Sequence, residues 1–353
     1  MLKEGKLTTE EAFELLKKVT DDDEERRDNR WRHWKQWLPA ILFPDFSWIN
    51  DLHKELRENA RDITRAIQGK PLPDDYMDEI MFGAEQVRYS ISPNNDSCAR
   101  ILDFECKNAP IKLETHRGDN IEITAYYKMK SHWNPHITLM EEKNVISLNY
   151  DDNALYLMGI GIRVPKTVRI ERVHLINKNA PISVYDIEAE KIELTTKNEA
   201  IKVFNTKVKH LYCETKNAPV VVDGTDVFKA RIVTTIEKID IRNSDIVNLY
   251  AKTSVSPLRF DYSSGELYKK EPVCSLEAIT TNGQITVYLP REELHCKLRA
   301  STSFGGIENE LNDLQYEANE RNYIEAQTDD YETSQNKFNL NLQTTNNTIN
   351  IRQ

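Results

Sequence analysis

Glycine is scarce here, and with only 11 in 353 residues the Gly-dense calcium-binding β-roll is excluded. The five cysteines, Cys98, Cys106, Cys213, Cys274 and Cys296, are odd in number, widely spaced and without a CxxC pair. They fit free thiols in a reducing compartment rather than a disulfide framework. No apolar run approaches the roughly 20 residues needed to span a bilayer, and the opening MLKEGKLTTEEAF has no apolar signal-peptide core. A cytoplasmic location is therefore expected. Basic residues are in the minority, 47 against 57 acidic for a net charge of -10, which argues against nucleic acid as a partner.

Catalytic signatures are missing too. There is no GxSxG or GxxxxGK[ST], and no cysteine has a histidine base nearby in sequence. His132 and His136 in SHWNPHI stand four apart, but Pro135 breaks the helix that a zinc pair at that spacing needs. No metal or other cofactor is expected, and the chain is read as a non-enzyme.

What is present is a repeat. From Val173 onward, apolar residues at offsets 0, 2, 9 and 11 recur every 19 residues. The rungs begin with Val173, Leu175, Ile182 and Val184, then Ile192, Leu194, Ile201 and Val203, then Leu211, Cys213, Val220 and Val222. Ala230, Ile232, Ile239 and Ile241 continue the series, followed by Leu249, Ala251, Leu258 and Phe260. At a hydrophobic fraction of 39%, twenty such hits by independent draws have a probability of roughly 10⁻⁸. The same spacing returns out of phase at Leu102, Phe104, Ile111 and Leu113, at Leu276, Ala278, Ile285 and Val287, and at Leu340, Leu342, Ile349 and Ile351, with a weaker copy at Leu298, Ala300 and Ile307. Insertions at 128–169 and 308–337 separate these copies.

An offset of 2 puts both side chains on one strand face, and the six residues between pairs suit a corner. An antiparallel sandwich also shows alternation, but only in-register stacking of parallel coils demands constant rung length. The expectation is an all-β parallel solenoid over 86–353 with 19-residue rungs, preceded by a small helical region.

That region divides into a helical head (1–22), an amphipathic Trp-rich segment with a helix (23–69) and a linker (70–85). Thr8 and Glu11 form a capping box for a helix over about 9–19. In RWRHWKQWLPAILFPDFSW, Trp31 and Trp34 share a helical face while Arg30 and Arg32 supply positive charge. Such a composition suits packing against a neighbouring element, or binding of a partner or an anionic membrane surface.

Three surface columns follow from the period. Offset 6 holds Asn108, Asn179, Asn198, Asn217, Asn282 and Asn346, a structural ladder expected to use the tolerance of Asn for left-handed backbone and its ability to bond up and down a stack. Offset 5 holds Lys107, Lys178, Lys197 and Lys216. The last three are expected to form a self-repelling column that is either a solvated edge or a contact for an anionic polymer or lipid. Offset 15 holds Glu188, Lys207, Asp226 and Asp245, where Asp226 and Asp245 are the one carboxylate pair placed for glycan chemistry, although turns are ordinarily polar.

The corners CKNAPI, NKNAPI, TKNEAI, TKNAPV, TTNGQI and TTNNTI, with GIRVPK at 161–166 and TVYLPRE at 286–292, resemble the DUF4097 family of bacterial β-strand-repeat, adhesin-type proteins. EGKLTTEEAFELLKKV at 4–19 resembles a SHOCT-type head. The resemblance implies a scaffold near the cell envelope, of the kind linked to Lia-type stress responses in Firmicutes, with the head recruiting a partner or the inner membrane face. A glycan-binding or glycan-cleaving β-helix at the cell surface is the alternative, and self-association through the solenoid ends is a further expectation.

Overall fold

The computed structural model describes residues 84–93, 99–130, 137–263, 273–290, 295–334 and 337–353. The expected head helix, the segment with Arg30, Trp31, Arg32 and Trp34, the linker as far as residue 83, and the pair His132 and His136 lie outside the described residues, while Glu85, the last linker residue, opens the first strand. All regular structure among the described residues is β.

Each repeat is a coil of a long and a short strand. The central coils are β8/β9 (Ile170–Asn177, Ile182–Tyr185), β10/β11 (Glu188–Thr195, Ile201–Phe204), β12/β13 (Lys207–Glu214, Val220–Asp223), β14/β15 (Asp226–Val233, Ile239–Arg242) and β16/β17 (Asp245–Lys252, Leu258–Asp261). Their long strands join one sheet and their short strands another, all parallel. The register is the one a constant rung requires: Val173 pairs with Ile192, Ile192 with Leu211, Leu211 with Ala230, and Ala230 with Leu249.

Stacking order departs from chain order at both ends. The coil β2/β3 (Arg100–Cys106, Ile111–His116) sits second, beneath an outer coil made by β6/β7 (Val145–Tyr150, Leu155–Pro165). At the other end, β18/β19 (Val273–Ile279, Ile285–Tyr288) is followed by β24/β25 (Lys337–Thr344, Ile349–Arg352), the last coil in sequence. The earlier β20/β21 (His295–Thr302, Ile307–Asn309) lies outside it. The insertion at 128–169 thus carries a coil that the 19-residue spacing does not show. Ile146 and Ile160 face Leu102 and Ile111 in register but are 14 residues apart, not nine, because the chain makes a longer turn at Asp151–Ala154.

Antiparallel strands close most of the edges. On the outer side of β7 lie β4 (Ile121–Met129) and β1 (Glu85–Ile91), and β5 (Ile137–Glu142) covers β6. At the far end β23 (Tyr323–Thr328) and β22 (Leu314–Glu320) cover β20. Extending three of the four sheet ends with antiparallel strands covers edges that would otherwise template aggregation.

Burial follows the columns. Val173, Ile192, Leu211, Leu298 and Leu102 are fully buried on the long-strand side, and Ile182, Ile201, Val220, Ile239 and Leu258 on the short-strand side. One continuous apolar core results. Threonine fills a buried corner column at Thr196, Thr215, Thr234, Thr253 and Thr280. There the hydroxyls satisfy corner groups: Thr234 donates to the Ala218 carbonyl (3.2 Å), and Thr280 accepts from the Gly283 amide (3.0 Å). A buried hydroxyl without such a partner would cost about 1–3 kcal/mol.

The asparagine ladder forms. Asn179 donates to Asn108 (2.7 Å), Asn198 to Asn179 (2.6 Å), Asn217 to Asn198 (2.8 Å) and Asn346 to Asn282 (2.6 Å). Left-handed backbone is not what these positions supply. Positive φ falls instead at the opposite corner, at Asp186, Asn205, Gly224 and Asn243, seven residues further along each rung. At the ladder corner the chain turns without that conformation, and the side-chain amides contribute by bonding along the stack.

Between Asn217 and Asn282 the ladder is interrupted by Ile236 and Val255, 43% and 47% exposed. Ile236 keeps the backbone bond to the preceding rung (3.0 Å to the Lys216 carbonyl) that Asn217 makes to Lys197. Replacing both, Ile236→Asn with Val255→Asn, is expected to complete the ladder and raise unfolding free energy by about 1 kcal/mol in a denaturant titration; a lower denaturation midpoint would count against a stabilising amide stack. Burial also pushes the Cys106 and Cys296 thiols up to about 12 and raises Cys213. With Cys106, Cys213, Cys274 and Cys296 all buried, a thiol reagent at mildly alkaline pH should leave these four unlabelled in the native chain and label them in denaturant.

Candidate functional site

The offset-5 column extends over four successive coils, not three, because β2/β3 stacks directly on β8/β9. Backbone bonds hold the spacing: the Asn179 amide donates to the Lys107 carbonyl (2.8 Å), Lys197 to Lys178 (3.2 Å) and Lys216 to Lys197 (3.2 Å). All four lysines are exposed. Lys107 pairs with Asp152, which raises its pKa. No described carboxylate forms an ion pair with Lys178, Lys197 or Lys216. Their neighbours along the turn are the neutral amides Asn179, Asn198 and Asn217.

The offset-15 column is also in register, Glu188 beside Lys207, Lys207 beside Asp226 and Asp226 beside Asp245. Two residues further on, Glu190, Lys209 and Phe228 make no pair of their own, although the register is unchanged from Ala189, Val208 and Val227 to Lys191, His210 and Lys229. Strand alternation puts offsets 15 and 17 on either side of the buried offset-16 residues Ala189, Val208 and Val227. A furrow of about 600 Å³ results, running across the rungs and closed at one end by Lys166–Ile170. A second hollow of about 270 Å³ continues it round the corner and shares Lys166, Val168, Ile170, Glu188 and Lys207.

Charge along the furrow is uneven. Glu190 bridges Lys209 (2.6 Å) and Arg169 (3.5 Å) on one wall. The hydrogen bond from Lys209, aided by Arg169, holds its carboxyl below the usual range. Lys166 and Lys207 make no ion pair with any described residue. At the far end the lining turns apolar with Val247 and Phe228, the latter 49% exposed.

The outer face of the long-strand sheet is knitted by local charge. Glu193 accepts from Arg172 (2.6 Å) and pairs with Lys191 (2.8 Å). Burial alone would raise its pKa, and these two cations lower it instead. His174 meets Asp103 at 2.9 Å, and Arg231 lies over Tyr250 at 4.6 Å. Among the described residues, no three His, Cys, Asp or Glu side chains are grouped to hold a metal ion. The furrow went unrecognised in the sequence, although its signal is there: a fifth apolar position at offset 16 between two charged or large outward ones.

Comparisons with known proteins follow the fold. No curated protein matches the chain. Among solved structures, it is similar to a candidate cell-adhesion protein from Clostridium sporogenes (13% identity over 76% of this chain and 99% of that one, TM-score 0.23). It is also similar to a candidate adhesin from Bacteroides fragilis (9% identity, 76% and 96% covered, TM-score 0.43). A third likeness is to a candidate lipid-binding protein from Parabacteroides distasonis (8% identity, 76% and 97% covered, TM-score 0.35). The family model described as Toastrack DUF4097 matches residues 100–352, which takes in every coil of the stack, and the chain belongs to that family.

Proposed function

We propose that this protein is a non-enzymatic binding scaffold that meets an anionic surface through its lysine column and serves cell-envelope maintenance or the response to envelope stress. In this reading it works at the cytoplasmic side, with the helical head and its Arg30, Trp31, Arg32 and Trp34 recruiting a protein partner or the inner membrane face. The observation that carries the reading is the column itself. Lys178, Lys197 and Lys216 stand one rung apart, about 4.8 Å, in a chain of net charge -10. Like charges at that spacing disfavour one another by a few tenths of a kcal/mol per pair, a cost that an anionic polymer or headgroup layer relieves. Near an anionic surface each lysine contributes about 1 kcal/mol, so the three act together only because the rungs hold them in line.

One observation favours a glycan-directed alternative, namely that Asp226 stands on the furrow wall beside Asp245 on the next rung. Against it, the preceding rung of the same column carries Lys207, so the two carboxylates do not extend into a longer acidic track.

Sedimentation of the full chain with vesicles distinguishes these. Recovery is expected with phosphatidylglycerol vesicles and not with phosphatidylcholine. It should fall at least about tenfold in the triple variant Lys178→Glu, Lys197→Glu, Lys216→Glu, and fall on deletion of residues 30–43. Equal recovery on both lipids would refute the anionic-surface reading. Glycan turnover abolished by Asp245→Asn would replace it with the alternative.

A further inference from the structure

The furrow lies at the corner opposite the lysine column and has a design of its own. Its floor is aliphatic, from Ile170 through Ala189 and Val208 to Val227, one residue per rung. Over these rungs, with Val247 one further, the furrow runs about 19 Å at about 4.8 Å per rung. A volume of about 600 Å³ falls within the range of small-molecule sites, roughly 300–1,000 Å³.

Three classes of occupant can be compared. An extended peptide gains most of its affinity by adding a strand to a sheet edge, but the floor strands are interior and paired on both sides, so no edge is offered. Sugar rings stack on aromatic platforms, and Phe228 is the single aromatic among the lining residues. A hydrocarbon chain needs neither, only a dry aliphatic trough.

The polar end selects the head. Arg169 and Lys209 are taken up by Glu190, while Lys166 and Lys207 have no described ion-pair partner. Both line the furrow and the adjoining hollow, which adds Thr115, Asn205 and the carboxylate Asp186, while Glu188 and Asp226 flank Lys207 on the neighbouring rungs without forming an ion pair with it. Toward Phe228 and Val247 the cations end.

We propose that this furrow binds one single-chain anionic amphiphile, its carboxylate or phosphate held by Lys166 and Lys207 and its alkyl chain laid over Val208 and Val227 to Phe228. A fatty acid and a phosphate monoester share the same recognition: a compact anion against two ammonium groups, followed by a chain whose burial excludes water. This site is independent of the lysine column and of any membrane contact there.

Calorimetric titration of the full chain with dodecanoate, dodecyl phosphate, octyl phosphate and dodecyltrimethylammonium, all below their micelle-forming concentrations, tests it. The expected result is saturable one-to-one binding of both dodecyl anions, with dodecyl phosphate at least about tenfold tighter than its octyl homologue or the cationic amphiphile. A preference for dodecanoate over dodecyl phosphate, or the reverse, identifies which anion the head pocket was built for. Lys207→Gln and Phe228→Asp, both at exposed positions, should each weaken binding by about tenfold without lowering the melting temperature. The triple lysine-column variant should bind as tightly as the parent. No saturable binding, equal affinity for the cationic amphiphile, or affinity untouched by both furrow variants would overturn the proposal.

Discussion

Parallel coils can hydrogen-bond along their whole length only if each has the same circumference as the next. That constraint organises everything else in the molecule. Because Ile192 must lie over Val173 and under Leu211, whatever stands at one offset is repeated at the same place on the next coil, and columns rather than individual residues become the units of structure. Inward columns are apolar, since each side chain is enclosed above, below and from the opposite sheet. Corner columns are chosen for how a side chain meets its own copy: amides bond to amides in the asparagine ladder, and threonine hydroxyls satisfy the buried turn. The same repetition lets a surface feature grow large from small parts, as three lysines become a line and one apolar position per rung becomes the floor of a furrow.

The central coils were legible in the sequence because the four inward offsets recur without a slip from Val173 to Phe260, and the amide and carboxylate columns followed from the same count. What could not be read was anything that depends on which coil neighbours which. A coil formed by Ile146 and Ile160 escapes a 19-residue search because its turn is longer, and the insertion of β24/β25 ahead of β20/β21 leaves no local trace. The left-handed corner was assigned to the asparagine column, where Asn is uniform. It falls instead where Asp186, Asn205, Gly224 and Asn243 differ in identity but share a tolerance for positive φ. The furrow lies where Glu190, Lys209 and Phe228 go unpaired while the rung length is unchanged, so the period conceals it.

Both ends of the stack share a device: the terminal coil in space is not the terminal coil in sequence. At each end the first or last coil of the repeat in sequence is paired on both sides, Arg100–Cys106 between β6 and β8 and Lys337–Thr344 between β18 and β20, while antiparallel strands occupy most of the outermost edges. Placing these coils inside the stack ties each down by two ladders rather than one, which opposes fraying of the kind that exposes strand edges. The lateral surfaces carry different chemistry at the two corners: lysines over neutral amides on one, an aliphatic floor flanked by lysines and carboxylates on the other.

The most direct test of the stacking is a set of spin-label distances on one corner column, in a Cys98→Ser chain whose other thiols are buried. With one label at Lys178→Cys and the second at Thr281→Cys, Thr345→Cys or Ser303→Cys, the partners lie five, six and seven rungs away, because the Thr345 amide bonds to the Thr281 carbonyl and the Ser303 amide to the Thr345 carbonyl. In-register coils in this order predict separations of about 24, 29 and 34 Å, increasing by about 4.8 Å per rung. A label at residue 303 closer to residue 178 than one at 345, or separations that do not grow by a constant step, would contradict the stack.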